Sequence, residues 1–260
     1  MSVVVISSDS FCRGDEIASR VAGDLGYDAL GPEIEATASS DFGVSLENLR
    51  QALGSSLFRF TRSSKARKRR VAYFQASLIS ALSRGDVLYH GEVGHMFVTG
   101  VSHVLKVKIT ADLQDRVARR VEMEKLSETR ARELLLKEGV QRKKWFVEML
   151  GVDGTDPSVF DLVINLTRIG IDGACKTIGR TARDVQFRPV TYSIKAIRDH
   201  ELMCRIRARL IKDYPDVEVT ARDGEVCIRS KPLAKDKGNR ASSVRSLVLG
   251  MEGVTYVLFE

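Results

Sequence analysis

The sequence predicts an α/β protein, a parallel sheet covered by helices, followed by a small α+β unit. Three observations lead there. A β-branched run, a polar turn and an apolar repeat of helical spacing fill the first 26 residues, the usual opening of an α/β unit. Short apolar runs then alternate with helical patterns, and strands separated by helices pair in parallel. Beyond Arg188-Pro189 an Asp-Gly pair stands between two alternating runs, which marks a hairpin.

Residues 2–8 (SVVVISS) read as a fully buried strand. The polar turn DSFCRGD leads into EIASRVAGDLG, where Ile17, Val21 and Leu25 recur every fourth residue and Gly26 closes a helix. Residues 28–44 are small and polar, hence loop, and VSLENLRQALGSSLF is a short helix. Another helix is predicted over Val71–Leu82, ended by Ser83-Arg84-Gly85. DVLYHG and SHVLKVKITA are the second and third strands, and DLQDRVARRVEMEK is helical after an acidic first turn. Ser127 caps a long charged helix, with Glu128 placed to favour its dipole. FDLVINLT is a fourth strand and DGACKTIGRTAR a helix. The tail reads as a helix (HELMCRIRARLIKDYP), a hairpin turning at Asp223-Gly224, a helix (ASSVRSLVLGMEG) and a closing strand (VTYVLFE). The expected domains are 1–188 and 189–260.

Composition removes several classes. Gly 20 and Pro 5 in 260 residues exclude a collagen-like or Pro-rich disordered chain. The first apolar run, Val3 to Ile6, is too short for a signal-peptide core, and nowhere do about 18 apolar residues follow one another. A cytoplasmic protein without a transmembrane segment is expected. Cys12, Cys175, Cys204 and Cys227 form no C-x-x-C pair and the four histidines no H-E-x-x-H, so no metal site is expected. The net charge of +7 favours anionic partners.

Three segments carry candidate chemistry. Ser10, Phe11, Cys12, Arg13, Gly14, Asp15 and Glu16 stand where backbone N–H groups at a helix N-terminus bind phosphate. Their composition is poor for it, with one glycine, no lysine and Arg13 as the one cation. Arg116, Arg119 and Arg120 share a helix face, with Arg142 on the next helix. Such a cluster suits a polyanion, and with Glu122, Glu124 and Glu128 nearby it equally suits a solvated face. RFTRSSKARKRR (59–70), which includes Arg59 and Arg62, holds seven basic residues, and no acid occurs between Glu47 and Asp86. It reads as a solvated loop, a nucleic-acid patch or a clamp for a phosphorylated substrate. No RRM or KH pattern accompanies it, so nucleic acid is not the expected partner.

VVVISSDSFCRGDEIASRVAGDLGY resembles the opening of the cytidylate kinase-like family, a branch of the P-loop nucleoside monophosphate kinases, which reads I-S-R-x-x-G-S-G-G-R-E-I-A before a helix and L-G-Y. HGEVGHMF, with Gly91 and His95, resembles that family's G-R-G-x-H-F turn, and KVKITADLQDRVARRV the strand and arginine helix leading to its mobile lid. GVDGTDPSVFDLVINLT is similar to its G-V-D-x-x-D-P-x-x-Y-D-L-V-x-N-T segment. The resemblance spans residues 1–185. It implies a P-loop kinase-like parallel sheet and ATP-dependent phosphorylation of a CMP-like monophosphate. ATP with Mg²⁺ would then lie over the 9–16 turn, Arg116, Arg120 and Arg142 would close on the transferring group, and Arg59, Arg62, Gly91, Glu92 and His95 would face the acceptor. Three positions depart from the pattern. Phe11 and Arg13 replace loop glycines, each with a Cβ that hinders a phosphate wrap, and Glu92 replaces the arginine of the G-R turn. The alternative is therefore a catalytically inactive kinase fold that binds a nucleotide or a partner.

The tail has its own likeness. Val217, Val219, Gly224, Val226, Ile228, Gly253, Val254 and Val257 fit a BON domain. That resemblance implies a regulatory or binding role through protein or membrane-surface contact.

Overall fold

The computed structural model describes residues 2–54, 64–234 and 239–260. In chain order the elements are β1 (Val3–Ser8), α1 (Gly14–Leu25), β2 (Asp28–Leu30), α2 (Glu33–Phe42), α3 (Leu46–Leu53) and α4 (Ser64–Leu82). They continue with β3 (Val87–His90), α5 (Gly94–Phe97), β4 (Val104–Thr110), α6 (Leu113–Glu124), α7 (Glu128–Leu150), β5 (Leu162–Asn165) and α8 (Leu166–Ala182). Last come α9 (Thr191–Leu210), β6 (Glu218–Arg222), β7 (Glu225–Arg229), α10 (Lys231–Ala234), α11 (Asn239–Leu249) and β8 (Tyr256–Phe259).

Two compact units result. The first gathers Met1–Ile34 and Arg84–Pro189; the second gathers Glu35–Ala52, α4 and Val190–Glu260. No helix among the described residues is long and apolar enough to cross a membrane.

The first unit holds a five-stranded sheet in the order β2-β3-β1-β4-β5, every pair parallel. β1 is central and buried on both faces, which is why Val3 to Ile6 form an unbroken apolar run without alternation. One face packs Val4, Ile6, Leu105, Val107 and Ile164 with Ile17 and Val21 of α1 and Ala174 and Ile178 of α8. The chain passes from β3 on one side of β1 to β4 on the other, and that reversal opens a crevice at the C-terminal ends of the strands. Ser8 and Asp9, His90 to Glu92, and Thr110 all stand there.

In the second unit β6 and β7 pair antiparallel and β8 joins β7 in parallel. The expected hairpin turns on two left-handed residues, Asp223 (φ 49) and Gly224 (φ 84), as a two-residue turn between twisted strands requires. Glycine is needed at 224 because a Cβ there would lie 2.8 Å from the Gly253 carbonyl oxygen. α9 packs on α4 and β6, burying Leu202, Ile206 and Leu210.

Four readings are corrected. Residues 28–44 are not loop but contain β2 and α2. α4 begins at Ser64, so the basic residues Lys65 to Arg70 are helical, and Arg67 is buried with its Nε donating to the Ala52 carbonyl at 3.4 Å. α8 begins at Leu166, earlier than expected, with a break at Gly170 (φ 70, ψ 173). α9 starts at Thr191 and not at His200.

Candidate functional site

The turn between β1 and α1 bends through two left-handed residues. Phe11 (φ 65) and Arg13 (φ 52) are both left-handed, a region that costs a non-glycine residue about 1–2 kcal/mol. Their Cβ atoms therefore do not stop the backbone from turning. The Phe11 ring packs beside Val117, Ala131 and Leu135, with the Arg120 guanidinium 4.9 Å over its centroid. Arg13 precedes α1 and pairs with Glu16 at 2.7 Å (Nε to Oε2). Gly14 is the residue the turn cannot replace, because a Cβ there would lie 2.6 Å from both His90 Nε2 and Ser8 Cβ. Arg13→Gly is expected to raise stability by up to about 1 kcal/mol, read from the urea midpoint. Relief of left-handed strain exceeds the entropy cost of a glycine, and the exposed Arg13–Glu16 pair adds little.

The centre of the site is Asp9. Its N–H donates to the Ile109 carbonyl at 2.9 Å, which fixes it at the end of β4. Lys108 Nζ stands 2.7 Å from Oδ1, Thr110 donates to Oδ2 at 2.8 Å, and Arg116 and Arg142 each approach to 3.7 Å. Burial pushes the Asp9 carboxyl up, but Lys108, Thr110 and Arg116 outweigh it and hold it below the ordinary carboxylate value. Burial pushes the Lys108 ammonium down, against the pull of Asp9. Arg116 also donates to the Ser10 carbonyl at 3.0 Å. Arg142 donates to the Ser8 carbonyl at 3.0 Å and to Glu92 at 2.8 Å. Two of the expected arginines thus hold the loop and two carboxylates of the same chain.

Arg120 serves elsewhere. It is buried between Glu124 (2.9 Å) and Glu138 (2.8 Å), tying α6 to α7. Its neighbour Arg119 makes no hydrogen bond or ion pair among the described residues and lines two cavities that share the loop. One, of about 350 Å³, lies over Ser8 to Asp15 and is bounded by His90, Gly91, Glu92 and Arg142. The other, of about 510 Å³, runs from Phe11 and Arg13 to Leu166, Thr167 and Gly170. In the smaller, Arg13, Arg119 and Arg142 face Asp9, Asp15 and Glu92, so the lining carries no net charge.

The model of the cytidylate kinase-like family matches residues 3–168, more than half of the chain. The chain belongs to that family. A cytidylate kinase of Staphylothermus marinus is 32% identical over 90 residues, which are 34% of this chain and 50% of that protein. The chain thus spans about half the length of that curated relative. A solved protein from Eubacterium ventriosum overlays 70% of this chain and 98% of its own at a TM-score of 0.53 and 14% identity, a likeness of fold.

Several residues of the cytidylate kinase-like pattern make contacts within the fold. His95 is buried between Phe160 (4.4 Å between centroids) and Phe146 (5.4 Å), and lines none of the cavities described. Its Nε2 lies 2.8 Å from the Gly154 carbonyl, which makes that nitrogen the protonated one. Burial lowers its pKa to about 4. Asp156 accepts from the Ser158 N–H and Asp161 from the Lys106 N–H, both at 2.8 Å. Asn165 accepts from the Thr167 N–H and donates to Asp112, both at 2.9 Å. Gly91 is fixed by packing, since a Cβ would press on the Tyr89 ring. Cys12 is buried, and burial pushes its thiol up to about 11, which leaves it unreactive. Arg59 and Arg62 lie outside the described residues. Lys108 was missed as a site residue and Asp9 was not singled out within the 9–16 turn, while Arg119, placed by spacing on the arginine face, was given no role of its own.

Proposed function

We propose that this chain is a nucleotide-binding member of the cytidylate kinase-like family that does not transfer a phosphoryl group. The observation that carries the reading is the Asp9 carboxylate, held by Lys108, Arg116 and Arg142 where an incoming phosphate would need those cations. Phosphoryl transfer depends on positioning and charge neutralisation, and a cradle whose charges already balance offers little of the second. Mg²⁺ does not fit well either. It takes one or two carboxylates beside the phosphates, and both Asp9 oxygens are engaged by Lys108 and Thr110.

The nucleotide has room. Its phosphate end meets the first-turn N–H groups of α1, with Arg119 beside them, and its base enters the adjoining cavity toward Leu166 and Gly170. Calorimetry with ATP·Mg²⁺ and with CMP, run beside a coupled ADP-release assay, tests this. Binding without turnover is expected, weakened about tenfold or more by Arg119→Ala, as loss of a charged hydrogen bond implies. Turnover that disappears in Arg116→Ala and Arg142→Ala overturns it.

A second reading is ATP-dependent phosphorylation of a CMP-like monophosphate. It is favoured by the retained left-handed backbone at residues 11 and 13 and by the 3.7 Å spacing of Arg116 and Arg142 from Asp9, which leaves room to exchange partners. For the second unit we infer a regulatory or binding role of the BON type, which the run from α9 through the β6–β7 hairpin and the helices α10 and α11 to β8 supports. Co-sedimentation of the full chain with anionic vesicles separates membrane-surface contact from contact with a protein.

A further inference from the structure

More basic than acidic side chains line a second cleft beside Asp9. The cleft, of about 510 Å³, opens beneath α6 and α7, and it shares Asp9, Ser10 and Arg142 with the loop cavity. Lys108, Arg116, Arg142 and Lys143 line it beside the Asp9 carboxylate, with Arg142 also paired with Glu92 at 2.8 Å and Lys143 with Asp153 at 2.7 Å. Its walls are apolar. Leu113 of α6, Leu135, Leu136 and Val140 of α7, and Val163 of β5 form them. Leu136 and Val140 remain 53% and 56% exposed, large side chains left in water at its rim. Arg142, whose side chain is only 10% exposed, has a buried Nε with no partner among the described residues. A buried donor without a partner carries a desolvation penalty that a ligand oxygen would remove.

We propose that this cleft is a second binding site, for an amphipathic monoanion: a chain or ring of some six to ten carbons bearing one carboxylate. The apolar walls take the body and the cationic floor takes the head, the division of labour usual in pockets of about 300–1,000 Å³. The site adjoins the nucleotide cavity, with which it shares Asp9, Ser10 and Arg142, while its apolar walls come from residues that neither nucleotide cavity uses.

Gly139 makes it testable. It lines the cleft, and a Cβ added there meets nothing within 4 Å. Gly139→Leu therefore fills the space while improving the propensity of α7. Calorimetry with octanoate at low salt is expected to show one site on the wild type. Affinity should fall at least tenfold in Gly139→Leu and in Leu136→Asp, and octanol should bind at least tenfold more weakly than octanoate. Octanoate binding unchanged in both variants, no binding at 5 mM, or equal affinity for octanol overturns the proposal. Unfolding midpoints of both variants confirm that the fold is kept.

Discussion

Asp9→Ala is expected to lower the free energy of unfolding by about 3–5 kcal/mol, the cost of leaving buried charges without their partner. The three cations around it differ little in burial, Lys108 being 11% exposed, Arg142 10% and Arg116 16%. With the carboxylate gone they repel one another in a poorly solvated crevice, and Thr110 loses its acceptor. Urea unfolding at pH 7 measures the loss. Inorganic phosphate supplies a second readout, since it should restabilise Asp9→Ala by mass action while leaving the wild type nearly unmoved. A loss under about 1 kcal/mol, with no effect of phosphate, would show that Asp9 does not organise these cations.

The second large effect is one of pH. His95 titrates at about 4 in the folded chain against an ordinary value of 6.5. Between those values the unfolded chain binds the proton and the folded chain does not, so stability falls as pH falls. The loss from this residue reaches about 2 kcal/mol at pH 5 and about 3 kcal/mol near pH 4. Burial shifts His90 and His103 in the same direction. Asp9 acts in a lower window, because its carboxyl lies below the ordinary 3.8 and its contribution goes only as pH falls beneath that. Urea titrations from pH 7 to pH 5 should therefore slope steeply in the wild type. His95→Gln should lower the pH 7 plateau and flatten the slope, and an unchanged slope would remove His95 from the account.

Four strands of the first sheet were legible from short apolar runs, unbroken from Val3 to Ile6 in β1 and interrupted only by Lys106 and Lys108 between Val104 and Ile109 in β4. β2 was not, being three residues long with two of them exposed and fixed by pairing with β3. α2 was hidden because its buried side includes only Ile34 and Ala38, too little to give a period. The site divides in the same way. The turn before α1 and the arginines of α6 could be found from local spacing. Asp9 could not, because its partners stand about 100 residues further along and reach it through the pairing of β1 with β4. His95 sits in a recognisable motif, and only the packing of Phe146 and Phe160 around it shows that the motif serves the interior.

The left-handed residues at 11 and 13 separate two properties that glycine-rich loops normally carry together. The contour of the loop is set from outside, by the α6–α7 cluster that receives Phe11 and by the close fit of Gly14 against Ser8 and His90. The sign of the loop is set by Asp9, Asp15 and Glu92. Glycine at both positions would ease the turn without altering what it attracts. A change of charge at Asp15, which lines the loop cavity, would alter what it attracts, so that the turn and its charge can be edited separately in this chain.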